Sequence, residues 1–282
     1  MIKKRLFILT TIILTAAFAI PAAAAVTVPY ETYGVTLDIS SAGAFIDDAR
    51  ITYGVVIQDP HEKLAGINGK WMMEDIDYCL ALFSPGFMKK VAEAYADCDS
   101  LFNIIIETPP DNEIGYISWR EDLNIVLYID TERGINGVTK AVLGHELGHA
   151  VHYAAEYIFG NLCEPVMETF NGPYRYMGED YSNKWDIDEQ GAIFAYDYGR
   201  FNYYEDIATV FELLIADPVS MAARLADAKN IVLRQKTEFL RDLLYEVFSD
   251  ECDAVFAPLV VRTPAEYRIV FLNRLMYCFT IE

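Results

Sequence analysis

Basic side chains are few in this chain of 282 residues. Lys and Arg number 22 against 42 Asp and Glu, a net charge of −20. A surface of that sign repels polyanions, which argues against nucleic acid and anionic lipid as partners. Cysteine is sparse as well: Cys79, Cys98, Cys163, Cys252 and Cys278. No two stand at CxxC spacing, which argues against a cysteine-built zinc module, and the odd count leaves at least one outside any intrachain disulfide. Internal repeats, low-complexity linkers and a clear domain boundary are all missing. Beyond the first twenty residues there is no run long and apolar enough to span a bilayer. Histidine is rarer still. Of four in the chain, His145, His149 and His152 fall within eight residues and only His61 lies elsewhere.

The N-terminus, MIKKRLFILTTIILTAAFAIPAAAA, has the layout of a secretory signal peptide. Lys3, Lys4 and Arg5 precede an apolar run over 6–20, then Pro21 and small residues. Residues 1–25 are thus expected to be removed, with an uncleaved anchor as the alternative. No cysteine follows the run to accept a lipid. Cleavage would take the basic count from 22 to 19 against 42 acids, and the net charge from −20 to −23. The exported chain, 26–282, is 53% apolar and 13% aromatic over the full sequence, the composition of a folded globule. It is read as a single domain with no membrane attachment after cleavage.

Within it, TYGVTLDI and ARITYGVVIQ read as short strands from their β-branched and aromatic content. WMMEDIDYCLALF has helical periodicity, and Ser84-Pro85 offers an N-cap and first-turn proline for a helix to about Ala96. LFNIIIE (101–107), GYISWRE (115–121) and LNIVLYID (123–130) predict a small twisted sheet. Asn136 can cap a helix running from Gly137 to about Phe159, with Gly160 as its stop. Residues 161–200 read as irregular, then helical patterns cover 203–216, 218–248 and 264–278. Strands first and helices after predict an α+β fold.

The long helix carries AVLGHELGHAVHYAAE. His145-Glu146-Leu147-Gly148-His149 is an HExxH sequence, and residues four apart share one helix face. Two imidazoles so placed can grip one zinc ion, and Glu146 beside the first can take a proton from an attacking water. Hydrolysis of a peptide substrate is the chemistry this pattern serves. LNIVLYID, just before the helix, could act as an edge strand for an extended peptide. His152 lies a turn further on, ~10 Å along the axis from His145, and is read as a neighbour rather than a ligand. Glu164, Glu168, Glu205 and Glu212 are candidates for the third ligand. Glu168 stands 19 residues after His149, as in a thermolysin-like site, but in a proline-containing stretch. Glu205 opens a clear helical pattern.

Tyr198-Gly199-Arg200-Phe201-Asn202-Tyr203-Tyr204-Glu205 resembles the second motif of the metallopeptidase domain of anthrax lethal factor and the related Pro-Pro endopeptidases. Those enzymes pair HExxH with a later Y-G-R-x-N-x-x-E. The resemblance covers about 137–215 and extends loosely over 71–130. It implies a zincin-like fold, zinc held by His145, His149 and Glu205, Glu146 as general base, and Tyr198 donating its hydroxyl to the oxyanion. The family often carries a second acid four residues after the glutamate ligand, where this chain has Thr209. Asp206 is a candidate substitute for orienting a histidine. A catalytically silent, secreted binding module and a thermolysin-like peptidase using Glu168 are the alternatives. The acidic, aromatic connection over 160–197 could wall or cover a cleft. Within it Asp186, Asp188, Gln190, Gly191 and Asp197 partly mimic a calcium loop. Glutamine at loop position five and aspartate at twelve depart from that pattern, so a plain surface loop is preferred over Ca2+.

Overall fold

The computed structural model describes residues 35–107, 115–118, 123–128, 138–181, 190–248, 252, 254–257 and 259. The expected signal segment, the helix expected over 264–278 and residues 182–189, which include Asp186 and Asp188 of the calcium-like stretch, lie outside them.

The first helix, α1 (Ala42–Tyr53), covers much of a segment whose residue types predict a strand. Ile51, Thr52 and Tyr53 favour β structure in isolation, but Phe45, Ala49 and Tyr53 recur every four residues and are all fully buried. That helical stripe, together with Ser41 Oγ accepting the Ala44 N–H, overrides local propensity. Only Val56–Gln58 (β1) survives as strand. Residues 35–38 form no strand either, and the Leu37 N–H donates to the Asp77 carboxylate at 2.8 Å instead of to a ladder. Helices α2 (Gly69–Ala81) and α3 (Pro85–Ala96) follow as expected, the second opened by Ser84 Oγ on the Phe87 N–H.

Strands β2 (Phe102–Glu107), β3 (Gly115–Ser118) and β4 (Leu123–Tyr128) complete a four-stranded sheet of order β1-β2-β4-β3. β1 and β4 run parallel to β2, while β3 pairs antiparallel to β4, with Ile117 opposite Ile125. LNIVLYID is therefore an interior strand and not the expected edge. Ile125, Val126 and Leu127 are buried in succession, the mark of a strand covered on both faces. Among the described residues the edge on that side is β3.

Helix α4 (Val138–Phe159) carries HExxH through the middle of the molecule. Leu143, Leu147, Ala150, Val151, Ala154 and Ala155 are buried around most of its circumference, so it is a core helix and not a surface one. It packs on the sheet, on α2 and α3, and on α6 (Tyr203–Ala216) and α8 (Ile231–Phe248). Gly160 ends it with φ of 90°, a left-handed turn that a side chain would resist. The connection expected to be irregular holds α5 (Cys163–Asn171). Pro165 is tolerated there because it sits in the first turn, where no backbone donor is needed. The single helical pattern over 218–248 is two helices, α7 (Pro218–Ala226) and α8, separated by a turn in which Asp227 Oδ1 accepts the Lys229 N–H. The four described cysteines, Cys79, Cys98, Cys163 and Cys252, form no disulfide. Among the described residues no helix is long and apolar enough to cross a membrane.

One buried ion pair ties these pieces together. Lys236 of α8 and Asp206 of α6 are both fully buried and 2.6 Å apart. Lys236 also donates to the Ile193 carbonyl at 3.0 Å, and the Tyr176 hydroxyl donates to the same Asp206 oxygen at 2.8 Å. Arg224 of α7 donates to the carbonyls of Gly191, Phe194 and Ala195. The end of the 160–197 connection is thereby anchored to the helical half. Replacing Lys236 with Met should cost about 3–5 kcal/mol, because Asp206 loses its buried countercharge. Urea unfolding measures this, and a wild-type midpoint for the variant would contradict it.

Candidate metal centre

Helix α4 presents His145 and His149 one turn apart, their rings edge to face with centroids at 4.9 Å. Two glycines fix what lies across from them. A Cβ on Gly148 would stand 2.8 Å from Phe211 Cβ and 3.1 Å from Ala208 Cα, and one on Gly144 would stand 3.1 Å from Ile215 Cβ. With only hydrogens there, α6 lies directly against α4. The N-terminus of α6 is then set by its cap: Asn202 Oδ1 accepts the Glu205 N–H at 2.9 Å. The N-x-x-E spacing is thus an N-cap and its third helical position, which aims the Glu205 carboxylate at the histidines.

Glu205 Oε2 lies 3.1 Å from His145 Nε2 and 3.4 Å from His149 Nε2. Ligand bonds of ~2.0–2.1 Å to a tetrahedral zinc imply ligand separations of about 3.3 Å. The two measured edges match that figure, and one donor atom from each of the three residues falls within 4.8 Å of the others. Two imidazoles and a carboxylate are also the donor set of a zinc site with an open fourth position.

A fourth side chain completes the arrangement. Glu212, two turns beyond Glu205 on α6, stands 3.2 Å from His145 Nδ1. Holding the far ring nitrogen fixes the tautomer and turns Nε2 toward the ion. Asp206, considered from the sequence for this orienting role, instead points into the core toward Lys236. Thr209, at the position where the resembling family carries an acid, lies under the motif turn: a Cβ on Gly199 would meet its Oγ1 at 2.7 Å. Glu168 and Glu164 are exposed on α5 and stand outside the three-residue cluster. Glu212 was a ligand candidate from sequence, and its spacing of seven from Glu205, nearly two helical turns, is the signal that puts both on one face.

Tyr198 lies in a 3-10 turn, Asp197–Arg200, with its ring over His145 at 6.1 Å between centroids. It also stacks on Phe201, and Arg200 holds the turn through a 2.7 Å ion pair with Asp197. Its half-exposed ring faces the cleft, and burial followed by the charges of Glu205 and Glu146 raises its hydroxyl above the ordinary range, keeping it protonated. Tyr153 stacks nearly parallel on His149 at 5.7 Å.

The electrostatics are those of acids crowded in a dry site. Burial pushes the Glu146 carboxyl up to about 7, with Glu205 and Glu212 adding to the rise and His145 opposing it. Burial opposes charge on His145, but its bonds to Glu205 and Glu212 overcome this and raise it to about 10. Burial would raise Glu205, and the two histidines hold it down at about 2. His149 is lowered by burial despite its contact with Glu205.

No protein-family model matches the chain, and neither does any curated protein. A crystal structure of a candidate zinc-binding metallo-peptidase from Bacteroides caccae is similar to it, with a TM-score of 0.52 at 12% identity. The match covers 83% of this chain and 91% of that one. At such identity the likeness shows the fold alone. The chain has a metallopeptidase-like α+β architecture, with a small mixed sheet and a cluster of metal-ligand character on its central helix.

Two outcomes follow. Gly148→Ala must push α6 away from α4, so stability should fall by roughly 1–3 kcal/mol and zinc affinity should fall with it. Calorimetric titration with zinc tests the second effect, and unchanged affinity would refute the role given to this contact. The second concerns pH. A carboxyl raised to about 7 makes the folded chain bind a proton more tightly than the unfolded one between pH 4.5 and 7. Stability therefore falls as pH rises through that window. His145, raised to about 10, contributes stability below pH 6.5 that is lost as pH rises through 10. His149, lowered by burial, opposes this fall below pH 6.5. Chelator-treated protein should thus melt at progressively lower temperature from pH 7 to 10, and Glu146→Gln should leave that limb in place.

Proposed function

We propose that this chain is an exported zinc-dependent endopeptidase of the lethal-factor type. The observation that carries the reading is the convergence of Glu205 on His145 and His149 at zinc-ligand spacing, with Glu146 buried beside them. Zinc held there would polarise a substrate carbonyl and acidify a bound water. The chain's own groups supply the rest. Glu146, poised near 7, takes a proton from the attacking water and delivers it to the leaving amine. Glu212 keeps the His145 ring in one orientation. Tyr198, protonated and over the cleft, donates to the oxygen on which charge develops. The free side of β3 offers backbone groups with which an extended peptide can pair. The N-terminal apolar segment directs export and is removed, leaving a soluble acidic enzyme.

Glu205 is preferred over the thermolysin-like alternative, because Glu168 is exposed and is not among the three clustered residues. A silent binding module is the remaining rival. It is disfavoured by a site that keeps ligands, a buried carboxyl of raised pKa and a tyrosine together.

Glu146→Gln should retain zinc yet lose ~10²–10⁴-fold in peptide hydrolysis. Tyr198→Phe should lose ~10²–10³-fold in kcat with little change in KM. Glu205→Ala should lose the zinc of this site, whereas Glu168→Ala should keep both that metal and activity. Turnover of a peptide library with parallel metal analysis reads all four. Zinc-loaded wild-type protein inert on every peptide, and indistinguishable from Glu146→Gln, would favour the binding module.

A further inference from the structure

The histidine helix repeats its own pattern. His145 and His149 are four apart, and so are His152 and Glu156, beginning seven residues later. Seven residues are nearly two turns, so the second pair lies on almost the same face, about 10 Å along the axis. Helix α6 completes the first pair with Glu205. The second is met by Cys163, the first residue of α5. One donor atom from each of His152, Glu156 and Cys163 lies within 4.8 Å of the others.

This second group is more deeply buried than the first. His152 and Cys163 are each 1% exposed. Three tyrosine rings, Tyr153, Tyr203 and Tyr204, wall the imidazole at centroid distances of 5.3, 5.8 and 5.7 Å. Yet neither ring nitrogen of His152 has a hydrogen-bond partner, nor does Glu156 Oε1. His152 Nε2 and that oxygen are 3.2 Å apart but not aligned as a hydrogen bond. Buried polar atoms are nearly always satisfied, so three orphans, two of them 3.2 Å apart, beside a thiol call for an occupant.

We propose that His152, Glu156 and Cys163 form a second, structural divalent-metal site of the zinc class. Imidazole nitrogen, carboxylate oxygen and thiolate sulfur together select a borderline-soft ion over calcium or magnesium. Bonds of ~2.0–2.1 Å to nitrogen and ~2.3 Å to sulfur imply ligand separations near 3.5 Å, so small side-chain rotations close the set. On binding, the Cys163 sulfur forms the metal bond and releases its proton to solvent. Burial holds that thiol well above its ordinary range, so affinity rises with pH. The site is closed to substrate. It pins the start of the 160–197 connection to the end of α4, as the Lys236–Asp206 pair pins the other end.

The test uses the signal-cleaved chain loaded with cobalt(II), followed by metal analysis and near-ultraviolet absorption. Wild type should hold two ions and show a thiolate-to-cobalt charge-transfer band. Cys163→Ser should hold one ion and lose the band. Glu205→Ala should also hold one but keep the band, which separates this site from the proposed catalytic one. Should Cys163→Ser fail to fold by circular dichroism, Glu205→Ala decides alone: a retained band supports the second site. A wild type without the band, or a Cys163→Ser variant that still holds two ions, overturns the proposal.

Discussion

The structure depends on the contact between α4 and α6. Gly144 and Gly148 remove two side chains from the face of α4 beside the histidines, and Ala208, Phe211 and Ile215 fill the space. Only at that separation does a carboxylate at the first turn of α6 reach imidazoles on α4. The same contact sets Glu212 on the far nitrogen of His145 and brings the Tyr198 turn over the cleft, since Gly199 is pressed against Asp206 and Thr209. Helix packing and site geometry are therefore one constraint. The glycine inside HELGH belongs to it as much as the histidines do.

Around that contact the molecule spends charge sparingly and deeply. Its acids are numerous, but three stand out: Glu146 and Asp206 are buried and Glu205 is partly buried. Each is handled differently. Glu205 is held ionised by two histidines, Asp206 is matched by Lys236, and Glu146 has no basic partner of its own beyond its neighbour His145. The first two treatments build structure. The third leaves a carboxyl whose proton is easily exchanged at neutral pH, which is what a general base needs.

Aromatic residues divide the helix into two compartments. Tyr153 lies between them, stacking on His149 on one side and packing against His152 on the other. The half-exposed Tyr198 borders the first compartment. Tyr203 and Tyr204 close the second. An open site suits turnover and a closed one suits support, and the burial of the two histidine pairs follows that division.

Much of this was legible in the chain. HExxH on a strongly periodic helix, the capped helix beginning at Pro85, and the helical pattern that Glu205 opens are local patterns whose physical meaning is fixed within one or two turns. Strand propensity misled over 49–53, because a buried stripe of Phe45, Ala49 and Tyr53 outweighs the preferences of Ile51 and Thr52. The order of the strands was not readable, and LNIVLYID was placed at the edge that β3 occupies. The partners of the buried charges were equally hidden: Lys236 lies 30 residues from Asp206, and Glu212 lies 67 from His145. So too was Cys163, which no CxxC spacing marks and which meets His152 and Glu156 because the chain turns at Gly160 and brings the start of α5 beside the end of α4. The sequence by itself determined which residues could act and how each is presented on its own helix. Which of them meet was decided by the tertiary structure, because a metal or a buried charge is satisfied by distance in space, and only the packing of α4 against α5, α6 and α8 sets those distances.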